Sequence, residues 1–255
     1  MILQLTFQNP NPSTIPLNYQ YYIGSWIYKV LEEGDADFAR FLHESGYRLE
    51  NGRKFKLFTF SMLNVANKTI LKDSLQLRIN STTFSLKIHF MLAEAMQPFI
   101  VGLFKNQELT IRSQTFKVQQ IESLPLQIEQ ERIRVRTLSP VVISKKRGDG
   151  SEEYLSPEHA EYETLFFHNL MGKFLATGQA IPAEWSDTIT ALKILDTNRI
   201  QSKLVTIKAG YASETKVKGY LFDFELQAPA KLLETGMLAG FGKENSWGFG
   251  CGEVM

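Results

Sequence analysis

The chain runs through one order of patterns twice: a short alternating apolar run, helical stripes, strand-like runs, another helix and a closing strand. In the first half, Ile2, Leu3, Leu5 and Phe7 alternate as a strand does, and the Asn/Pro stretch from Asn9 to Ser13 ends it. Ile23, Trp26, Ile27, Val30 and Leu31 recur at helical spacing, which predicts a helix over 17–33 stopped by Gly34. Asp35 is placed to cap a shorter helix with Phe38, Phe41 and Leu42 on its stripe, ended by Gly46. Strands are predicted at 56–63, 74–79, 83–90, 108–112 and 116–121, with a helix at 91–105. The second half gives a strand at 132–143, a helix at 157–177, strands at 189–195, 203–209 and 220–226, a helix at 229–239 and a strand at 249–254. This is the order of a ferredoxin-like unit. The expected fold is α+β with two such domains, residues 1–127 and 128–255, joined near Pro125 to Gln130.

Charge and cysteine content narrow the function classes. Lys plus Arg number 28 against 27 Asp plus Glu, so any anion-binding surface must be local rather than a property of the whole molecule. The single cysteine, Cys251, cannot form an intramolecular disulfide. No two histidines have the i, i+4 spacing of a helix-borne metal site, and no acidic cluster stands out. No metal and no cofactor are expected. The N-terminal stretch lacks a secretory pattern and no apolar run is long enough to span a membrane, so a cytoplasmic protein is expected.

Near the C-terminus, GFGKENSWGFG at 240–250 holds two glycine pairs, Gly240 with Gly242 and Gly248 with Gly250, each enclosing a phenylalanine. Glycines allow positive φ and close backbone approach. Lys243, Asn245, Ser246 and Trp247 lie between them and offer a cation, polar donors and a ring, the groups a polyanion with stackable bases would meet. Neither the Walker pattern nor the dinucleotide fingerprint is present.

Tyr28 lies about 130° around its helix from the centre of the apolar stripe, so it is read as a residue outside the core. His43 follows the buried Leu42 and should project from the flank of its helix, where it could exchange protons near neutrality. His89, His159 and His168 are read as structural or solvated. Arg132, Arg134 and Arg136 alternate with Ile133 and Val135, which puts three guanidinium groups on one strand face. Their repulsion would be relieved by a bound phosphate chain. Lys145, Lys146 and Arg147 form a second basic cluster before the turn Gly148-Asp149-Gly150.

Together these segments resemble the Cas6 family of CRISPR-associated endoribonucleases, within the RAMP superfamily. The glycine pattern at 240–250 carries the resemblance most strongly, with YQYYIGSWIYKVL at 19–31, FARFLHESGY at 38–47, KLFTFS at 56–61 and TLSPVVI at 137–143 in support. The resemblance implies tandem ferredoxin-like, RRM-like domains facing across a cleft that binds CRISPR repeat RNA. It also implies a catalytic group of Tyr28, His43 and Lys56, with Lys54 as a nearby substitute for the lysine. The implied reaction is metal-independent attack by the RNA 2′-hydroxyl, leaving a 2′,3′-cyclic phosphate and a 5′-hydroxyl. His43 would serve as general acid and Tyr28 would position or deprotonate the 2′-hydroxyl. A tyrosine with a pKa near 10 is a poor base unless a cation lowers it, the part Lys56 would take. Two other readings are a non-cleaving RNA-binding subunit of a CRISPR effector complex and a double ferredoxin-like protein that binds a small phosphorylated ligand. Assembly into an effector complex or a homodimer is left open by the sequence.

Overall fold

The computed structural model describes residues 1–255, apart from the side chains at 186 and 187. Ile2–Gln8 is the centre of the first sheet, paired antiparallel with Thr83–Phe90 on one side and Gln114–Leu124 on the other. Phe58–Phe60 and Glu108–Ile111 form its edges. The alternation read in the sequence is physical: Leu3, Leu5 and Phe7 are buried in one core with the stripe Ile23, Trp26, Ile27, Val30 and Leu31 of α1 (Gln20–Gly34). After α2 (Ala36–Arg40), α3 (Ala93–Lys105) packs closely on α1. A Cβ on Gly102 of α3 would lie 1.8 Å from the Val30 carbonyl oxygen, so that crossing admits only glycine.

In the second sheet Arg132–Thr137 is central, flanked by Asp223–Gln227 and Gly252–Val254, with Ala191–Ile194 on the outer edge. α4 (Tyr162–Leu175) and α5 (Ala230–Ala239) cover the face carrying Ile133, Val135, Phe224 and Leu226. In each half the strands lie in the spatial order fourth, first, third, second of a strand-helix-strand-strand-helix-strand unit, the ferredoxin-like arrangement expected. The first sheet is extended by the edge strand Glu108–Ile111.

Several predicted elements differ in extent. The 56–63 strand is broken at Leu57, where φ is +53°. Lys54–Phe55 pairs with Tyr47–Arg48, while Phe58–Phe60 joins the main sheet. The 132–143 strand stops at Thr137, and the amides of Leu138 and Ser139 both turn to the Cys251 carbonyl. The 220–226 segment is two strands in different sheets, because Thr215–Leu221 pairs with Gln201–Ile207 to form a projecting hairpin. Phe41, expected on a buried stripe, is 40% exposed, and Ala39 takes the buried place. Two short strands, Ser13–Pro16 and Lys68–Leu71, lie between the predicted elements.

The halves meet along the strands Phe58–Phe60 and Thr83–Phe90. Thr59 donates its hydroxyl to the Phe249 carbonyl at 2.8 Å, and Lys87 pairs with Glu253 at 2.8 Å. His89 is buried, with Nδ1 at 2.7 Å from the Met237 carbonyl oxygen, and burial pushes its pKa down to about 4. It is a packing residue of the interface. Next to it a groove of about 350 Å³ runs past Gln4, Lys87, Thr137 and Glu253, between the open faces of the two sheets.

Candidate active site

A sharp corner between α1 and α2 brings Tyr28 and His43 together. The backbone N–H of Asp35 closes α1 on the Leu31 carbonyl, while its carboxylate accepts from the Phe38 amide at 2.9 Å and starts α2. The helix continues as a π-helical turn, Phe41–Ser45, closed by the Gly46 amide on the Phe41 carbonyl. Such wide turns gather at functional sites. Leu42 anchors it in the core, leaving His43 exposed. The Tyr28 and His43 rings meet edge to face, with centroids 5.4 Å apart and planes at 86°.

Behind that turn stands a pair of lysines. The Lys56 ammonium donates to the carbonyls of Leu42 and His43, the latter at 2.7 Å, and Lys54 donates to the Glu44 carbonyl at 3.2 Å. Both lysines occupy the C-terminal end of a helical segment, where exposed carbonyls favour cations. Burial, then the charges of Lys54 and Arg48, push the Lys56 pKa down to about 8.

The glycine loop of the second domain closes over the same region. All four glycines have positive φ, between 69° and 83°. They are buried, and a Cβ on Gly248 would lie 2.4 Å from the Phe60 ring and one on Gly250 1.9 Å from the Phe241 carbonyl oxygen. Phe241 and Phe249 are core residues. Asn245 turns inward and donates to the Phe241 and Phe249 carbonyls at 3.1 and 2.9 Å. Gly240, Gly242, Gly248, Gly250 and Asn245 thus shape and brace the loop, and its outer surface belongs to Lys243, Glu244, Ser246 and Trp247.

That surface reaches across the domain boundary to α1. The Trp247 ring stacks on Tyr21 at 5.5 Å, and a Cβ on Gly24 would meet its Cε3 at 2.9 Å. Ser246 hydrogen-bonds with the Tyr28 side chain, yet burial outweighs this and pushes the Tyr28 pKa up to about 12. The expected lowering by a cation is absent, because Lys56 is engaged with the backbone of residues 42 and 43. With that shift the Tyr28 hydroxyl stays protonated near neutrality and can donate a hydrogen bond.

The basic residues differ in how free they are. A cleft of about 360 Å³ beneath the loop is lined by Arg53, Lys54, Lys56 and Lys243, with Asn169 and Lys173 of α4. Arg132 and Arg134 share Glu225 at 3.6 and 3.2 Å, and Arg136 faces Asp223 at 3.8 Å. Carboxylates of the neighbouring strand relieve the repulsion expected of this row. Lys145 is paired with Glu161, and Arg147 with Glu153 at 3.6 Å. Sequence reasoning missed Lys173, which is 2% exposed and donates to the carbonyls of Gly240 and Gly242. The signal was present: Tyr162, Phe166, Asn169, Leu170 and Lys173 follow helical spacing, which puts an amide and a cation on the apolar face of α4.

The family model for the N-terminal region of CRISPR-associated protein Cas6 matches residues 14–122, and that for the Cas6 C-terminal region matches 119–254. The CRISPR-associated endoribonuclease Cas6 1 of Methanocaldococcus jannaschii is 27% identical over 253 residues, covering 98% of this chain and 91% of that protein. The CRISPR-associated endoribonuclease Cas6 of Pyrococcus furiosus is 24% identical over 241 residues, covering 94% and 83%. A solved Cas6-related protein from Pyrococcus furiosus superposes with a TM-score of 0.83 at 20% identity, covering 100% of this chain and 98% of that one. A RAMP protein described as binding different RNA substrates gives 0.81 at 19% identity, covering 100% and 99%. With both of its domains matched by the family's two models and its fold shared with these proteins, the chain belongs to the Cas6 family.

Proposed function

We propose that this protein is an endoribonuclease that cuts CRISPR repeat RNA, the precursor of guide RNAs, by attack of a 2′-hydroxyl on the adjacent phosphate. The products are a 2′,3′-cyclic phosphate and a 5′-hydroxyl, and no metal takes part. The observation that carries this reading is the edge-to-face meeting of Tyr28 and His43 at the floor of an open groove. The relatives named as Cas6 endoribonucleases, and solved Cas6 structures described as product complexes, support the same class of reaction.

Residues 1–127 carry the reacting groups and residues 128–255 the glycine-rich loop, and basic side chains of both grip the RNA. His43 is exposed and adjoins the groove, so it delivers a proton to the departing 5′ oxygen. Tyr28, held protonated by burial, orients the 2′-hydroxyl or the phosphate through its own hydroxyl, and the 2′ proton passes to solvent water in the open groove as the new P–O bond forms. Lys56 acts through His43 by fixing the carbonyls of its turn, and its charge favours the phosphorane. Lys243, Lys54 and Arg53 hold neighbouring phosphates in the basic cleft.

The test is end-labelled repeat RNA incubated with the protein in excess EDTA, beside the same RNA with one 2′-deoxy nucleotide at the cut. A discrete cut that survives chelation and vanishes with the deoxy substitution is expected. Tight binding without any cut would make the protein a recognition subunit instead.

A further inference from the structure

From Tyr28 and His43 a groove of about 360 Å³ leads outward between α1 and the end of the hairpin Gln201–Ile207/Thr215–Leu221. One wall carries Lys29 of α1, 66% exposed in its side chain, and the other carries Lys208. A row of rings runs along it. Trp247 lies 6.5 Å from Tyr28 and stacks on Tyr21, and Tyr21 lies 6.2 Å from Tyr211 at the hairpin tip. The first rings of the row are packed against protein. Tyr211, by contrast, is 63% exposed.

The hairpin tip is built to hold that ring in place. The Tyr211 amide closes on the Lys208 carbonyl at 3.0 Å, and the Gly210 amide donates to Glu214 at 3.0 Å. The Thr206 amide donates to Asn18 at 3.3 Å, which ties the hairpin to the residues just before α1. At the outer end Arg112 donates to the Tyr22 hydroxyl at 2.9 Å and adds a third cation beside the rings. An exposed ring near cations, joined through Tyr21 to a groove that starts at the reacting pair, has the make-up of a single-strand stacking platform.

We propose that this groove is a subsite for one unpaired nucleotide beside the scissile phosphate, with its base stacked on Tyr211 and its phosphate between Lys29 and Lys208. The inference rests on the RNA-cleaving reading and adds a requirement to it. A groove of about 360 Å³ has room for one nucleotide and not for a base pair, so the RNA must be single-stranded at that position.

The experiment is an abasic scan through the two nucleotides on each side of the cut, with wild type and Tyr211→Ala compared under single turnover. One abasic position should lower kcat/KM by about 5- to 100-fold, as loss of a stacked base does. Tyr211→Ala should lose a similar factor on intact RNA, and the two changes together should cost little more than either alone. Losses that multiply, or an abasic scan with no effect, would overturn the subsite while leaving the nuclease intact. A readout without turnover separates the two readings: 2-aminopurine placed along the repeat should be quenched at one position on binding, and Tyr211→Ala should abolish that quenching. Equal quenching by both proteins would reject the subsite whether or not the RNA is cut. Circular dichroism of Tyr211→Ala should match wild type, since the ring is exposed.

Discussion

The ammonium of Lys173, buried in α4, donates to the carbonyl oxygen of Gly242 at 2.7 Å. It also donates to the Gly240 carbonyl, so the first Gly-Phe-Gly turn directs two carbonyls at one cation. Burial lowers the Lys173 pKa well below the ordinary lysine value, the neighbouring Arg53 charge adds to this, and no carboxylate among the described residues pairs with it. A cation in so costly a place holds something that needs holding, here the loop bearing Ser246 and Trp247 against α1. Lys173→Met removes the charge but strands two carbonyls. The stranded acceptors cost more than the relieved charge gains, a net loss of about 1–2 kcal/mol. Thermal denaturation should show Tm lower by about 2–8 °C, with cleavage slowed at least tenfold. Unchanged Tm and rate would remove the clamp role.

His43 and Tyr28 separate chemistry from binding. His43→Ala should slow single-turnover cleavage by about 10²- to 10⁴-fold, the worth of one proton-transfer group, while RNA affinity changes less than about threefold. Tyr28→Phe keeps the ring packed against His43 and Phe58 and loses only the hydroxyl. A loss of about 10- to 100-fold with an unaltered pH profile is expected, because a hydroxyl with a pKa near 12 does not titrate in the working range. A shifted alkaline limb in Tyr28→Phe would restore the base role that the structure argues against.

The sequence showed the fold more completely than the site. Periodicity revealed the α1 stripe and the capped corner at Asp35, because both are local effects of one helix and one side chain. It failed where the chain changes sheets, at Leu57 and Phe222, because a strand run reads the same whichever partner it pairs with. The glycine loop drew notice for its backbone freedom, yet its glycines answer to neighbours far along the chain: Phe60 for Gly248 and Val142 for Gly242. Gly24 gave no signal at all. It looks like a weak point in a helix, and only the fold places the Trp247 ring where its side chain would stand.

Lys56 gives the site a pH dependence whose sign follows from its shift. With a folded pKa of about 8 against an ordinary 10.5, the folded protein releases this proton first as pH rises. Stability from this group therefore climbs between about pH 8 and 10.5, and the increment is lost as pH falls back through 8. The rate has the opposite sign, since the charged form holds the His43 turn and faces the developing phosphorane charge. Single-turnover cleavage should decline above about pH 8. Lys56→Arg, which stays charged, should lose that decline. Its persistence in the arginine variant would assign the limb to another group.

Glu225 tests whether the arginine row meets RNA at all. Arg132 and Arg134 both pair with its carboxylate, whose side chain is only 19% exposed while theirs are 61% and 64% exposed. A phosphate approaching that face has to compete with this carboxylate and is repelled by it. Glu225→Gln removes the negative charge and keeps the shape, so RNA should bind about 3- to 10-fold more tightly and the salt slope should steepen by about one. Arg134→Ala should do the reverse, weakening binding and flattening the slope. If filter-binding isotherms from low to high salt superpose for wild type and both variants, the row is an internal ion-pair ladder of the second sheet. RNA contact would then rest on the basic cleft under the glycine loop.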